Sequence, residues 1–187
     1  DSNGAIWVLD KKKKRCAKLD EAGKVLTSFG GSGSGAGQFS NPTSIAVASS
    51  GLIFVADRGN RSVLVFRADG VYLNNLGGKA ANITNPLAVA VDPGDNLYIL
   101  DGSRGSVFVY SATGDFVQEF GKLKEGSLFA KPVDMAVTAD EVLVLDGNQV
   151  KAMTQKGELL RVFGAKETGV GSLFDPVALA SAGGSSL

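Results

Sequence analysis

The chain repeats itself. Four segments close on an aromatic residue or leucine followed by glycine: KVLTSFG ending at Gly30, VYLNNLG at Gly77, DFVQEFG at Gly121 and ELLRVFG at Gly164, at spacings of 47, 44 and 43 residues. After the first three, a loop leads to a proline and an alternating apolar run, NPTSIAVAS, NPLAVAVD and KPVDMAVT, and DPVALAS follows the fourth. The next run ends each time in aspartate, as GLIFVAD, NLYILD and EVLVLD, and GAIWVLD stands near the N-terminus. Self-similarity at a period of this length restricts the fold more than any single motif does, because each copy must be one structural unit that finds its core against its neighbours.

Within a copy, four short β-rich runs are separated by Gly, Asp or Asn turns, and the first two runs are apolar on both faces. A sheet that is apolar on both faces must be sandwiched between other sheets. The chain is therefore expected to be all-β, a β-propeller of four-stranded blades stacked around an axis. Twenty-five glycines against five prolines agree with many tight turns. One domain over 1–187 is expected, with a partial blade at 1–30, blades at 31–77, 78–121 and 122–164, and in 165–187 the first strand of a further or shared blade.

The stretch 32–77 carries a Gly-rich loop, Phe-x-x-Pro, an Ile-Ala-Val strand, Val-Ala-Asp, Asn-Arg, Val-x-Val-Phe and a closing strand before glycine. It resembles an NHL repeat, and 85–121 is similar to one as well. The likeness weakens at 122–164, where the turn after Asp146 is two residues shorter, and in the N-terminal copy, where DKKKKRCAKLD replaces the Asn-Arg turn. The resemblance implies a propeller, in that family usually six-bladed, and implies no particular activity. About four blade equivalents are present. One reading closes them into a ring by pairing the N- and C-terminal strands, which would remove exposed edges; the other makes the chain part of a six-bladed propeller. Self-association is expected if the ring does not close within one chain.

Lys plus Arg and Asp plus Glu both number 19, so no global charge draws the chain to nucleic acid or to an anionic membrane. No apolar run is long enough to span a bilayer, and no membrane insertion is expected. There is no histidine, which removes the commonest general base and zinc ligand, and a lone cysteine, Cys16, reads as a packing residue. No cofactor, metal or catalytic residue is assigned.

The first strand of each blade lines the channel of a propeller, so the residues around its proline are the first candidates for a site. The inner set is Ser44, Ala88, Asp134 and Ala178, with a single carboxylate, a poor metal cage. The outer set, Asn41, Asn85, Lys131 and Asp175, is a candidate partner-binding mouth, although Asn and Asp also suit the turn before proline. Asp10, Asp57, Asp101 and Asp146 occupy one repeat position and read as turn anchors, with Asn60 and Arg61 ordering one such turn. The strongest charge signal is Lys11, Lys12, Lys13, Lys14 and Arg15, an exposed basic turn. The segment 1–30 carries excess positive charge and 78–121 excess negative charge, a dipole around the ring. The stretch GSGSGAG at 31–37 lacks the Lys and Ser/Thr of a phosphate loop and reads as a flexible connection.

These features favour a non-catalytic protein-protein interaction scaffold. A metal-dependent lactonase or lyase built on a propeller is the enzyme alternative, centred on Asp134. Nucleic-acid binding through the basic turn is a second alternative, weakened because no aromatic residue is interleaved there for base stacking. An exported location, in a bacterial periplasm or on a cell surface, is the expectation for the compartment.

Overall fold

The computed structural model describes residues 4–77, 82–164 and 173–180. Among them there is no helix, and the strands form four antiparallel sheets. The first sheet has three strands, β1 (Ile6–Asp10), β2 (Arg15–Leu19) and β3 (Val25–Gly30). The second has four, β4 (Pro42–Val47), β5 (Ile53–Asp57), β6 (Ser62–Phe66) and β7 (Tyr72–Gly77). The third repeats the pattern with β8 (Pro86–Val91), β9 (Leu97–Asp101), β10 (Ser106–Tyr110) and β11 (Phe116–Phe120). The fourth comprises β12 (Pro132–Val137), β13 (Glu141–Asp146), β14 (Gln149–Thr154) and β15 (Leu159–Phe163).

Each sheet is a meander whose neighbouring strands follow one another in sequence, and the register repeats from copy to copy. Pro42 faces Asp57, Pro86 faces Asp101 and Pro132 faces Asp146, each followed by a one-residue irregularity. Proline suits the first position of a strand, where its missing N–H costs no ladder bond. The strands β5, β6, β9 and β10 are buried along their whole length. Outer strands β7 and β15 face solvent along much of theirs.

Three apolar layers lie between successive sheets. Cys16, Phe39, Ile53, Val55, Leu64 and Phe66, with Trp7, Leu9 and Phe29 beside them, fill the space between the first and second. Phe54, Ala56, Val63 and Val65 meet Val89, Ile99, Phe108 and Tyr110 between the second and third. Leu100, Val107, Val109 and Phe120 meet Met135, Val142, Val144 and Met153 between the third and fourth. Both faces of a blade are thus core, as the doubly apolar runs require.

The sheets follow one another in chain order, β1 against β4, β4 against β8 and β8 against β12, and form an open arc. Closure by pairing of the terminal strands does not occur: residues 173–180 adopt no strand, and Leu179 N–H bonds to Asp134 Oδ2 on β12 at 2.8 Å, at the opposite end of the arc from β1. The physical reason is packing order. Each first strand is laid down against the first strand of the blade before it, so 173–180 continues the arc past β12 instead of returning to β1.

The Gly-rich stretch is also more ordered than its composition suggests. Gly33 N–H bonds to Phe39 O, Phe39 N–H to Gly31 O, and Gly35 N–H to the Gln38 side chain, holding the wholly buried Phe39 as a plug beneath the loop. A Cβ on Gly30 (φ 99°) would lie 2.4 Å from the Phe39 ring, and one on Gly121 (φ 95°) 2.6 Å from Phe129. The closing glycines Gly30 and Gly121 therefore leave room for the plugs Phe39 and Phe129.

Candidate functional site

The repeat sorts its turns onto two faces of the disc. Turns from second to third strand and loops from fourth strand to the next first strand lie on one face; the remaining turns lie on the other. On the first face Asp57 and Asp101 each tie a turn to a loop, Asp146 ties a loop to β14, and Asp10 holds a turn. Asp57, wholly buried, accepts the N–H groups of Ser40 (2.7 Å), Asn41 (2.8 Å) and Asn60 (3.0 Å), and the Asn60 amide at 3.2 Å. Asp101 accepts from Thr84, Asn85, Ser103 and Arg104 N–H groups. Asp146 accepts from Ala130 and Lys131 N–H groups and from the Lys151 ammonium at 2.6 Å. Among the described residues Asp10 takes only the Lys12 and Lys13 N–H groups, and no first strand lies beside β1. These four carboxylates are turn anchors.

The outer set falls where the sequence pattern puts it. Asn41, Asn85 and Lys131 each give their N–H to the aspartate, and their carbonyls accept from the residue after it, Arg58, Gly102 and Gly147. Asn41 and Lys131 are exposed, Asn85 is half-buried, and Asp175 is exposed with a left-handed backbone (φ 47°). They mark successive blades along the same face and do not converge. The inner set is also structural. Ser44 Oγ accepts Val89 N–H at 3.2 Å and Asp134 Oδ2 accepts Leu179 N–H, each joining one blade to the next. Asn60 gives its side-chain amide to Gln38 O and Gly33 O as well as to Asp57, and Arg61 takes a left-handed backbone (φ 54°) to turn the chain.

Lys11, Lys12, Lys13 and Arg15 are exposed; Lys14 is half-buried, with its ammonium 3.3 Å from Ser32 Oγ. They do not stand alone. On the same face lie Arg58, Arg61, Lys122, Lys124 and Lys131, all exposed, and none of these or the four exposed members of the basic turn takes an ion pair among the described residues. Arg104, also here, is held by Glu119 at 3.2 Å and lies over the Phe108 ring.

The opposite face is acidic, with Asp20, Glu21, Asp69, Asp92, Asp95, Asp115, Asp140, Glu141 and Glu158 in its turns. Its cations are fewer, and Arg67 is bonded to Asp69 at 2.6 Å. That bond and the Val71 N–H hold the Asp69 carboxyl below its usual range. Asp95 accepts Ser49 and Ser50 N–H groups across the blade boundary; these outweigh the effect of burial and lower its carboxyl too. The main charge separation therefore runs between the faces of the disc. Segment sums along the chain hide it, since every strand carries the chain from one face to the other; summing the turns by alternation would have found it.

No group of three or more His, Cys, Asp or Glu among the described residues is arranged to hold a metal. An apolar cavity of about 130 Å³ lies between the second and third blades on the acidic side, lined by Leu52, Phe54, Leu73, Leu97 and Tyr110. Exposed aromatic rings, Phe116, Phe163 and Phe174, belong to the third and fourth sheets and the segment beyond, away from the turn 11–15.

Residues 39–66 match the NHL repeat family model. No curated protein matches the sequence. Among solved structures the chain is similar to a virginiamycin B lyase of Staphylococcus aureus determined with quinupristin, at 18% identity and a TM-score of 0.68, over 97% of this chain and 58% of that one. It is also similar to a chain of a nidogen/laminin complex, at 18% identity and a TM-score of 0.72, over 96% of this chain and 65% of that one. The WD40 repeats of RRP9 align at 18% identity and a TM-score of 0.65, over 87% of this chain and 48% of that one. The chain thus spans about three fifths of the lyase it resembles. At these identities the likeness is one of fold.

Proposed function

Because this chain carries an NHL repeat within an arc of β-propeller blades, we propose that it is a non-catalytic interaction scaffold whose basic loop face docks an acidic surface of another protein. The observation that carries this reading is the charge segregation: exposed Lys and Arg without an ion pair among the described residues predominate on one face, and carboxylates predominate on the other. Such a field steers and orients a charged partner even when net charge is zero. Aspartate anchors fix the frame of every turn on the basic face, whereas the side chains they display differ from blade to blade, which is how a rigid scaffold acquires specificity. Similarity to a propeller crystallised in a nidogen/laminin complex supports a protein partner. The enzyme alternative rested on Asp134, whose carboxylate is engaged by Leu179 N–H.

The test is a fluorescence-anisotropy titration with a labelled Asp/Glu-rich peptide, in parallel with a single-stranded RNA of the same charge. The reading expects salt-sensitive peptide binding, weakened about 10- to 100-fold when Lys11, Lys12, Lys13, Lys14 and Arg15 are replaced by serine. Unchanged peptide affinity in that variant, or RNA bound more tightly than peptide, would refute it.

A further inference from the structure

The cavity between the second and third blades exists because one copy of the repeat departs from its neighbours. The fourth strand closes on Phe29 in the first sheet and on Phe120 in the third, but on Leu76 in the second. All three stand in one register, Phe29 opposite Cys16, Leu76 opposite Val63 and Phe120 opposite Val107. At the boundaries on either side, the phenyl ring reaches the glycine that turns the next blade from its third strand to its fourth. A Cβ on Gly70 would lie 2.8 Å from the Phe29 ring, and one on Gly157 would collide with the Phe120 ring, whereas one on Gly114 would meet nothing within 4 Å. Leu76 is too short to reach across, and the space it leaves, about 130 Å³, is lined by Leu52, Phe54, Leu73, Leu76, Tyr110 and Gly114.

We propose that this space binds the phenyl ring of a phenylalanine in a basic peptide segment of a partner protein, which supplies from outside the ring that the repeat supplies at its other boundaries. The size fits, since an apolar cavity of about 150 Å³ takes up benzene. The walls fit as well. The Phe29 ring lies 4.6 Å from that of Phe66, which Tyr72 meets edge-on at 5.7 Å. In the third blade Tyr110 and Phe116 repeat the latter pair at the same 5.7 Å. Among the described residues, Tyr110 has no ring from the preceding blade to match the one that Phe29 gives Phe66. A phenyl group in the cavity would take that place.

The mouth and its charges select the rest of the occupant. Leu73, Asn74, Thr113 and Gly114 line the space and are exposed, so it opens at the rim of the disc. Asp115, in the turn that forms one side of the mouth, accepts the Thr113 hydroxyl at 2.7 Å, and Asp95, two residues before Leu97, accepts from Ser49 and Ser50. Neither carboxylate takes an ion pair among the described residues, and Arg67, in the turn of the second blade, is committed to Asp69 at 2.6 Å. Lys or Arg on either side of the phenylalanine would answer these charges. Leu73 and Phe116, 45% and 57% exposed, extend the apolar surface beyond what one ring covers, which favours a peptide over a free aromatic amine. The site lies on the side opposite the basic loops and does not depend on what they bind.

Isothermal titration calorimetry with a capped peptide of one phenylalanine between paired lysines, with a thermal melt of each protein, tests the proposal. That peptide is expected to bind about 10- to 100-fold more tightly than the same peptide with alanine in place of phenylalanine, the range set by burying one phenyl ring. Leu76→Phe rebuilds the repeat's own ring in the register that Phe29 and Phe120 already occupy. It is expected to keep or raise the thermal midpoint and to weaken the phenylalanine peptide to the level of the alanine peptide. If that variant does not melt cooperatively, Leu73→Ser, at an exposed position, decides: it should weaken the phenylalanine peptide about threefold or more and leave the alanine peptide unchanged. Equal affinity for the two peptides, undiminished affinity in a cooperatively folded Leu76→Phe or in Leu73→Ser, or a glutamate-flanked peptide bound as tightly as the lysine-flanked one would overturn it. So would phenethylamine bound as tightly as the peptide, which marks a small-molecule site.

Discussion

Replacing Asp57 by alanine should be among the most damaging single changes in the molecule, and replacing Asp10 among the mildest, although the two occupy the same repeat position. Asp57 is wholly buried and receives three backbone N–H groups and one side-chain amide, all within 3.2 Å. Its loss strands those donors, two of them in the loop that carries the chain from the first sheet to the second. A donor left unsatisfied away from water costs about 1–3 kcal/mol. The exposed Asn41 N–H can be rehydrated and the Asn60 amide keeps its carbonyl partners, so the expected cost of Asp57→Ala is about 3–5 kcal/mol. Among the described residues Asp10 holds only the N–H groups of Lys12 and Lys13, in an exposed turn, and its replacement should cost about 0.5–1 kcal/mol. Urea unfolding followed by Trp7 fluorescence, against the Phe29 ring 6.1 Å away, reports on both. For a chain of this size the thermal midpoint of Asp57→Ala should fall by roughly 10 °C. Equal costs for the two variants would refute the turn-anchor assignment.

Other consequences follow from single sites. Gly77→Ala places a Cβ 2.9 Å from Ser62 Cα at a backbone φ of 126°, so it should cost about 2–4 kcal/mol by urea titration, whereas Gly23→Ala, with open space around it, should cost only the strain of its positive φ, about 1 kcal/mol. Burial pushes the Asp146 carboxyl up, but the Lys151 ammonium and the Lys131 and Ala130 N–H groups outweigh it and leave it below its usual value. A carboxyl depressed in the folded state contributes stability above its unfolded pKa, about 3.9, and that contribution is lost as pH falls through the folded value. Lys151→Met should therefore reduce stability at pH 7 and flatten its decline between about pH 5 and 3, as measured by urea midpoints at each pH. Burial pushes the Cys16 thiol up to about 12. A thiol reagent at pH 8 should leave it unmodified in the folded chain and label it fully in urea.

Most of the fold was legible because the same physical demand is written several times. Proline opens the first strand at Pro42, Pro86 and Pro132, aspartate ends the second at Asp57, Asp101 and Asp146, and a strand or turn expected in one copy recurs in the others. Pro176 obeys the same pattern, yet no strand forms there, since a strand needs a partner and β1 lies at the far end of the arc. A repeat specifies which edges are compatible and leaves open which copy supplies the partner. The turn-anchor role of the aspartates could be read from position alone. The order in 31–37 could not, as it depends on Gln38 and Phe39 folding back on the loop. Lys11 to Arg15 stood out as a run of like charge, while Arg58, Arg61 and Lys131 are scattered in sequence and join the same patch only after the chain has crossed the sheets between them.

Hydrogen exchange of the chain with and without the acidic peptide tests the face assignment directly. The account predicts slowed exchange in the turns 11–15, 58–61 and 102–105, with 20–24, 92–96 and 111–115 unchanged. Protection on the acidic face, or in the cavity between the second and third blades without change at 11–15, would contradict it.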